Sequence, residues 1–150
     1  MRTLVTFFGK EFNSAQPKAE FSKPTNYGDD VCRWLIAEMK EAGVDADDEP
    51  QQDDNGWYYC FRIPVGRFCV IVTCRPADDP EESLWICWIE NHCGFVGSLL
   101  GHRLKNISPH AVECLHRVFN KPNRVTGALW HNYDKFKQGY EQSGAVSPDE

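Results

Sequence analysis

The sequence predicts a single α+β domain, an antiparallel sheet of four or five strands with two helices packed on one face. Between residues 57 and 90, three segments rich in aromatic and β-branched residues follow one another across short connections, the pattern of a β-meander. On either side of them, around 31–39 and 112–119, apolar residues recur at helical spacing instead. A chain of 150 residues with 41% hydrophobic content suits one domain that closes its own core without a staple.

The elements follow in order. Residues 4–8 are apolar and β-prone and read as a strand, after which a polar, proline-containing arm occupies about 9–27. From Asp29 or Asp30, either of which can cap, Val31, Trp34, Leu35, Ile36 and Met39 mark a helix over roughly 30–42 that Gly43 ends. Segments 57–63 and 67–75 are joined by Pro64-Val65-Gly66, a short hairpin turn, and 84–90 is the third strand of the meander. Ser108 and Pro109 open a second helix with cap and first-turn residue in sequence. It ends near Lys121-Pro122, a last strand covers 125–130, and the polar tail from about 139 is expected to be disordered, leaving a domain of 1–138.

Period-two alternation sorts the meander into faces. Trp57, Tyr59, Phe61 and Ile63 match Phe68, Val70, Val72 and Cys74 on the face expected under the helices. The other face is not polar either, since Tyr58, Cys60, Cys69, Ile71, Ile86 and Trp88 form an apolar patch that needs covering. The N-terminal arm is the first choice of cover. The tail is a second, and another protein or an oligomer contact a third.

Seven cysteines with no Cys-x-x-Cys pair, mostly within apolar segments, read as free thiols in a reducing compartment. No apolar run reaches the roughly 18 residues of a membrane span, and residues 1–8 are too short for a secretion signal, so a cytoplasmic protein is expected. A net charge of −6 disfavours direct binding of nucleic acid or an anionic membrane and favours a basic partner.

That charge is concentrated. Residues 45–54 carry six carboxylates and no base, and 78–82 add four more; taking these ten from 22 acids leaves 12 against 16 Lys plus Arg. Pairing the meander in sequence order places both acidic loops at one pole of the sheet. Asp47, Asp48, Asp53, Asp54, Asp78, Asp79, Glu81 and Glu82, with the adjoining Trp57 and Tyr58, are the candidate partner-binding residues. Charges there would steer a basic partner and the aromatic rings would anchor it.

Other constellations point less sharply. Asn91-His92-Cys93-Gly94 sets an imidazole beside a thiol, and His102 follows, so Cys93, His92 and His102 are the candidates for nucleophilic catalysis. Neighbours in a strand face opposite ways, which argues against His92 and Cys93 as a working pair. Cys87, His92, Cys93 and His102 match no zinc spacing, and the acidic loops lack the Asp-x-Asp-x-Asp-Gly order of an EF-hand, so no metal or cofactor is expected. Residues 94–101 have the glycines of a phosphate loop but not its Gly-Lys-Ser/Thr ending, and read as a packing turn.

Ala42-Gly43-Val44, the Gly56-Trp57 step after an acidic loop, and Gly94-Phe95-Val96-Gly97 ahead of a helix together resemble a group of small uncharacterised bacterial proteins over roughly 28–130. That resemblance implies a meander between two helices and brings no catalytic residues. In size and charge the chain also looks like bacterial immunity proteins and phage-encoded inhibitors. The function expected is therefore a non-enzymatic protein-binding module of that type, acting on a basic partner. A small cysteine/histidine-dependent enzyme and a structural subunit assembling through the second sheet face are the alternatives.

Overall fold

The computed structural model describes residues 1–93, 101–121 and 124–149. Its elements run β1 (Leu4–Phe8), α1 (Asp29–Glu41), β2 (Asp45–Ala46), β3 (Gln51–Asp53), β4 (Gly56–Ile63), β5 (Gly66–Arg75), β6 (Leu84–Asn91), α2 (Pro109–Phe119), β7 (Thr126–His131) and α3 (Tyr133–Lys137). Among the described residues the strands form one seven-stranded antiparallel sheet in the order β2-β4-β5-β6-β1-β7, with β3 beside β2 along the same edge of β4. The α+β class and the consecutive β4-β5-β6 meander are as the sequence indicates. The sheet is wider than expected, and a third helix follows β7. Residues 94–100, read as a packing turn, lie outside the described residues.

The turns explain the register. Ile63 pairs with Gly66, so the β4–β5 hairpin closes over the two residues Pro64 and Val65. At the other end of β4, Asp53 accepts hydrogen bonds from the backbone N–H groups of Asn55 (2.8 Å) and Gly56 (3.1 Å), folding β3 onto β4. Gly56 holds φ at +141°, and a Cβ there would stand 2.5 Å from the Val72 carbonyl oxygen, so the Gly-Trp step is required by both backbone conformation and space.

The predicted face alternation holds. Trp57, Tyr59 and Phe61 of β4 join Phe68, Val70 and Val72 of β5 in a core under α1 and α2 that also takes in Val5, Phe7, Trp85, Cys87 and Ile89. Leu35, Met39 and Leu115 from the helices are fully buried in it, each burial stabilising by about 1.5–3 kcal/mol. Helix α2 starts as expected, with Ser108 Oγ accepting the His110 N–H at 3.2 Å and Pro109 in the first turn. Helix α1 does not, for Gly28 occupies the cap and no side chain among the described residues caps it. Asp29 is drawn instead to Arg33 (2.7 Å) and Lys18 (3.3 Å), and Asp30 accepts the Asn13 N–H at 2.7 Å.

The second face is apolar, as the alternation implies, but its cover is not the N-terminal arm. Leu4, Cys60, Cys69, Ile71, Ile86 and Trp88 cluster there with Phe136 of α3, flanked by Tyr58, Leu84 and Tyr133. The arm turns to the helix face because the buried Gly9 lets Phe12 fold back over it, with the Phe12 N–H on the Gly9 carbonyl at 3.2 Å. Phe12 then packs on Trp34 and Trp85 with ring centres 5.6 and 5.9 Å apart. The tail expected to be disordered runs back along β7, where Trp130 and Ala145 exchange backbone hydrogen bonds and Arg2 N–H reaches the Pro148 carbonyl.

One expectation about the cysteines is overturned. Cys60 and Cys69 stand directly opposite one another on β4 and β5 and are joined as a disulfide, with Cα atoms 4.0 Å apart. The two-residue turn sets them face to face; a three-residue turn would have offset them by one position. Cys32 and Cys87 are fully buried, and burial pushes both thiols up; Cys74 is pushed up to about 12 by the same cause. Among the described residues no helix is long and apolar enough to cross a membrane.

Candidate functional site

The acidic segment is not one loop at one pole. Because β2 and β3 both pair with β4, it runs the whole length of that strand, from Asp45 opposite Arg62 to Asp53 opposite Gly56. Only its far end stands at the end of the sheet from which the 78–82 loop projects, leaving β5 after Arg75 and entering β6 at Leu84. The expectation that the two acidic loops share a pole therefore holds for Asp53 and Asp54 and fails for Asp45 to Glu49. The reason is strand pairing: a segment read as a loop is an edge strand interrupted once.

Along the edge the carboxylates are answered by the protein's own cations. Arg62 donates to Asp45 (2.9 Å) and Asp47 (3.1 Å), Arg33 to Glu49 (3.2 Å), Lys23 to Asp54 (2.8 Å), and Lys40 pairs with Asp48. Those contacts hold the carboxyls of Asp45, Asp48 and Asp54 below the usual carboxylate range, through hydrogen bonds from Arg62, Lys40 and Lys23 respectively. Asp47 has a structural duty as well, accepting the Cys60 N–H at 2.8 Å.

What remains is a smaller group. Asp53, Asp78, Asp79 and Glu82 are exposed, and among the described residues no cation lies within 4 Å of their carboxylates. Glu81 is 3.8 Å from Lys10, an exposed pair of little strength. Asp79 caps the 3-10 turn Pro80–Glu82 by accepting the Glu81 N–H at 3.0 Å, which fixes the shape of the loop. The aromatic candidates separate. Trp57 is only 6% exposed and belongs to the core, whereas Tyr58 is half-buried on the second face with its hydroxyl donating to Gln51 Oε1 at 2.8 Å.

The second sheet face carries a cleft of about 400 Å³ that draws in residues of several segments: Asp47, Arg67, Glu90, His92, Cys93 and Arg103 line it, with the Cys60–Cys69 pair on its floor. Glu90 is buried; one carboxylate oxygen accepts the Trp88 indole N–H at 3.0 Å and the other lies 3.5 Å from the Arg103 guanidinium. His92 is exposed, its backbone N–H on the Arg67 carbonyl at 3.0 Å, and the Cys93 thiol lies 3.6 Å from the Asn91 carbonyl. His102 contributes only its carbonyl, which accepts from the Asn91 amide at 2.9 Å. Thus the catalytic candidates Cys93 and His92 share a cleft and His102 stands outside it.

Sequence reasoning missed Glu90 and Arg67. Nothing in their local sequence distinguishes them, but the even positions of β6 and odd positions of β5 share the second face, so Glu90 and Arg67 are recoverable once the register is known. Among the described residues no three side chains of metal-binding type converge. The chain matches no protein-family model, no curated protein and no solved structure.

Proposed function

We propose that this chain is a non-enzymatic binding protein of the immunity or inhibitor type, offering the acid pole formed by Asp53 and the 78–82 loop to a basic surface on another protein. One observation carries the reading. Asp45, Asp47, Asp48 and Glu49 are answered by Arg62, Lys40 and Arg33, while Asp53, Asp78, Asp79 and Glu82 have no cation within 4 Å among the described residues and stand at one end of the sheet. A closely paired charge has a short-ranged, dipolar field, whereas unpaired carboxylates in a group raise the encounter rate of an oppositely charged partner.

The test is a titration of isotopically labelled protein with an octalysine peptide at low and high salt. Amide shifts at residues 53–56 and 78–82 that disappear in salt, and disappear in a variant carrying Asp53→Asn, Asp78→Asn, Asp79→Asn and Glu82→Gln, are the expected result. Shifts confined to residues 45–49, or undiminished in the variant, would overturn it.

A second reading, the cysteine/histidine-dependent enzyme, draws on Cys93 and His92 lining the cleft floored by the Cys60–Cys69 pair. Cys93→Ser is its test, since a turnover that survives the change removes the thiol from the chemistry. Oligomerisation through the second face has less support, because Phe136 and Tyr133 already occupy part of that face.

A further inference from the structure

Lys137, on the short helix α3, holds its ammonium 4.4 Å from the ring centre of Trp88 and 5.5 Å from that of Tyr133. The two rings stand 5.8 Å apart at 61°, so they form two walls of a corner with the ammonium inside it. Among the described residues no carboxylate lies within 4 Å of Lys137, which leaves the faces of the two rings as the partners of its charge.

The two walls have supports of their own. Trp88 is buried, and its indole N–H is fixed on Glu90, itself held by Arg103. Tyr133 sits at the start of α3, whose placement depends on Phe136, a buried ring tilted at 60° to His131 with centres 4.9 Å apart. Neither wall needs the Lys137 side chain for support. The negative field of Glu90 reaches the site, for it helps to raise the Tyr133 hydroxyl pKa after burial has done so. Partial burial and the nearby Arg75 both lower the Lys137 ammonium pKa.

We propose that Trp88 and Tyr133 form a binding site for an alkylammonium group, a lysine or methylated lysine side chain on a partner, and that Lys137 fills this site in the free protein as an internal substitute. The site lies on the second sheet face and does not depend on the acid pole. A resident ligand at an effective concentration of about millimolar weakens an external ammonium roughly tenfold at a site whose intrinsic dissociation constant is about 0.1 mM, so removing it should tighten binding by that factor.

Choline is the probe, and 3,3-dimethylbutan-1-ol, its uncharged carbon analogue, is the control. In Lys137→Ala, choline should shift the Trp88 indole N–H signal with a dissociation constant roughly tenfold below that of the original chain, and the alcohol should not. Adding Trp88→Phe should weaken choline binding; should that variant unfold, Tyr133→Leu in the same background makes the same test from the half-buried wall. Equal binding of choline and the alcohol would make the corner a plain apolar hollow and overturn the proposal. So would a Lys137→Ala protein that binds choline no more tightly than the original.

Discussion

Trp57 donates its indole N–H to the carbonyl oxygen of Asn26, 31 residues earlier, at 2.8 Å. That bond ties the end of the N-terminal arm to the first residues of β4, and Phe21 closes over the same ring with centres 4.6 Å apart. Trp57 is therefore a fastening between arm and sheet. Trp57→Ala should cost about 3–5 kcal/mol, the usual loss for a buried Trp. A melting curve checks this: a variant that melts with the original chain but loses octalysine binding would make Trp57 an interface anchor after all.

The Cys60–Cys69 bond should be detectable and stabilising. Non-reduced protein ought to be lighter by two hydrogens, with both residues resistant to alkylation. Cross-linking a hairpin over a separation of 9 residues should contribute about 2 kcal/mol by loop-closure entropy. For a chain of this length that is a melting shift of about 5 °C in Cys60→Ser/Cys69→Ser. A mass and a melting temperature unchanged by reductant would show that the two thiols are not joined.

How much of this was legible in the sequence depends on the range of each signal. Alternation over eight or ten residues identified β4, β5 and β6 with their faces, and the helical stripes identified α1 and α2. Strands β2 and β3 are two and three residues long and rich in Asp and Gln, so propensity opposes them and only register against β4 makes them strands. Helix α3 has five residues, too few for a period to show. The disulfide turned on a single residue of hairpin length. The acid pole was visible as composition, but which of its charges remain unpaired was not, because Lys23, Arg33 and Lys40 reach their partners only through the fold.

His131 should make stability fall on mild acidification. The residue is 2% exposed, its Nε2 is 2.9 Å from the Thr6 hydroxyl and its Nδ1 has no hydrogen-bond partner among the described residues. Burial first, and then Arg2, hold its imidazole below the ordinary value, with Glu141 opposing them. Below about pH 6.5 the unfolded chain takes up a proton that the folded one refuses, so stability declines as pH falls until the folded pKa is passed. His131→Gln keeps a polar atom for Thr6 and does not titrate. Its melting temperature should change less between about pH 7 and pH 5 than that of the original chain. Equal slopes would remove His131 from the pH response.

Asp47 and Asp48 are neighbours in sequence with different work to do. Asp47 accepts the Cys60 N–H at 2.8 Å while its own N–H donates to the Cys60 carbonyl at 2.9 Å, so it carries the edge pairing across the gap between β2 and β3. Asp47→Ala leaves that backbone donor without its partner and should cost about 1–2 kcal/mol. Asp48 points into solvent, 93% exposed and among the described residues paired only with Lys40, and Asp48→Asn should leave the melting temperature where it was. Neither carboxylate belongs to the pole, so at matched stability neither change should move the octalysine shifts away from residues 53–56 and 78–82. An Asp48→Asn protein that binds octalysine more weakly than an Asp53→Asn protein would return the working surface to the paired edge, because only a charge that the partner meets directly can weaken binding without touching the fold.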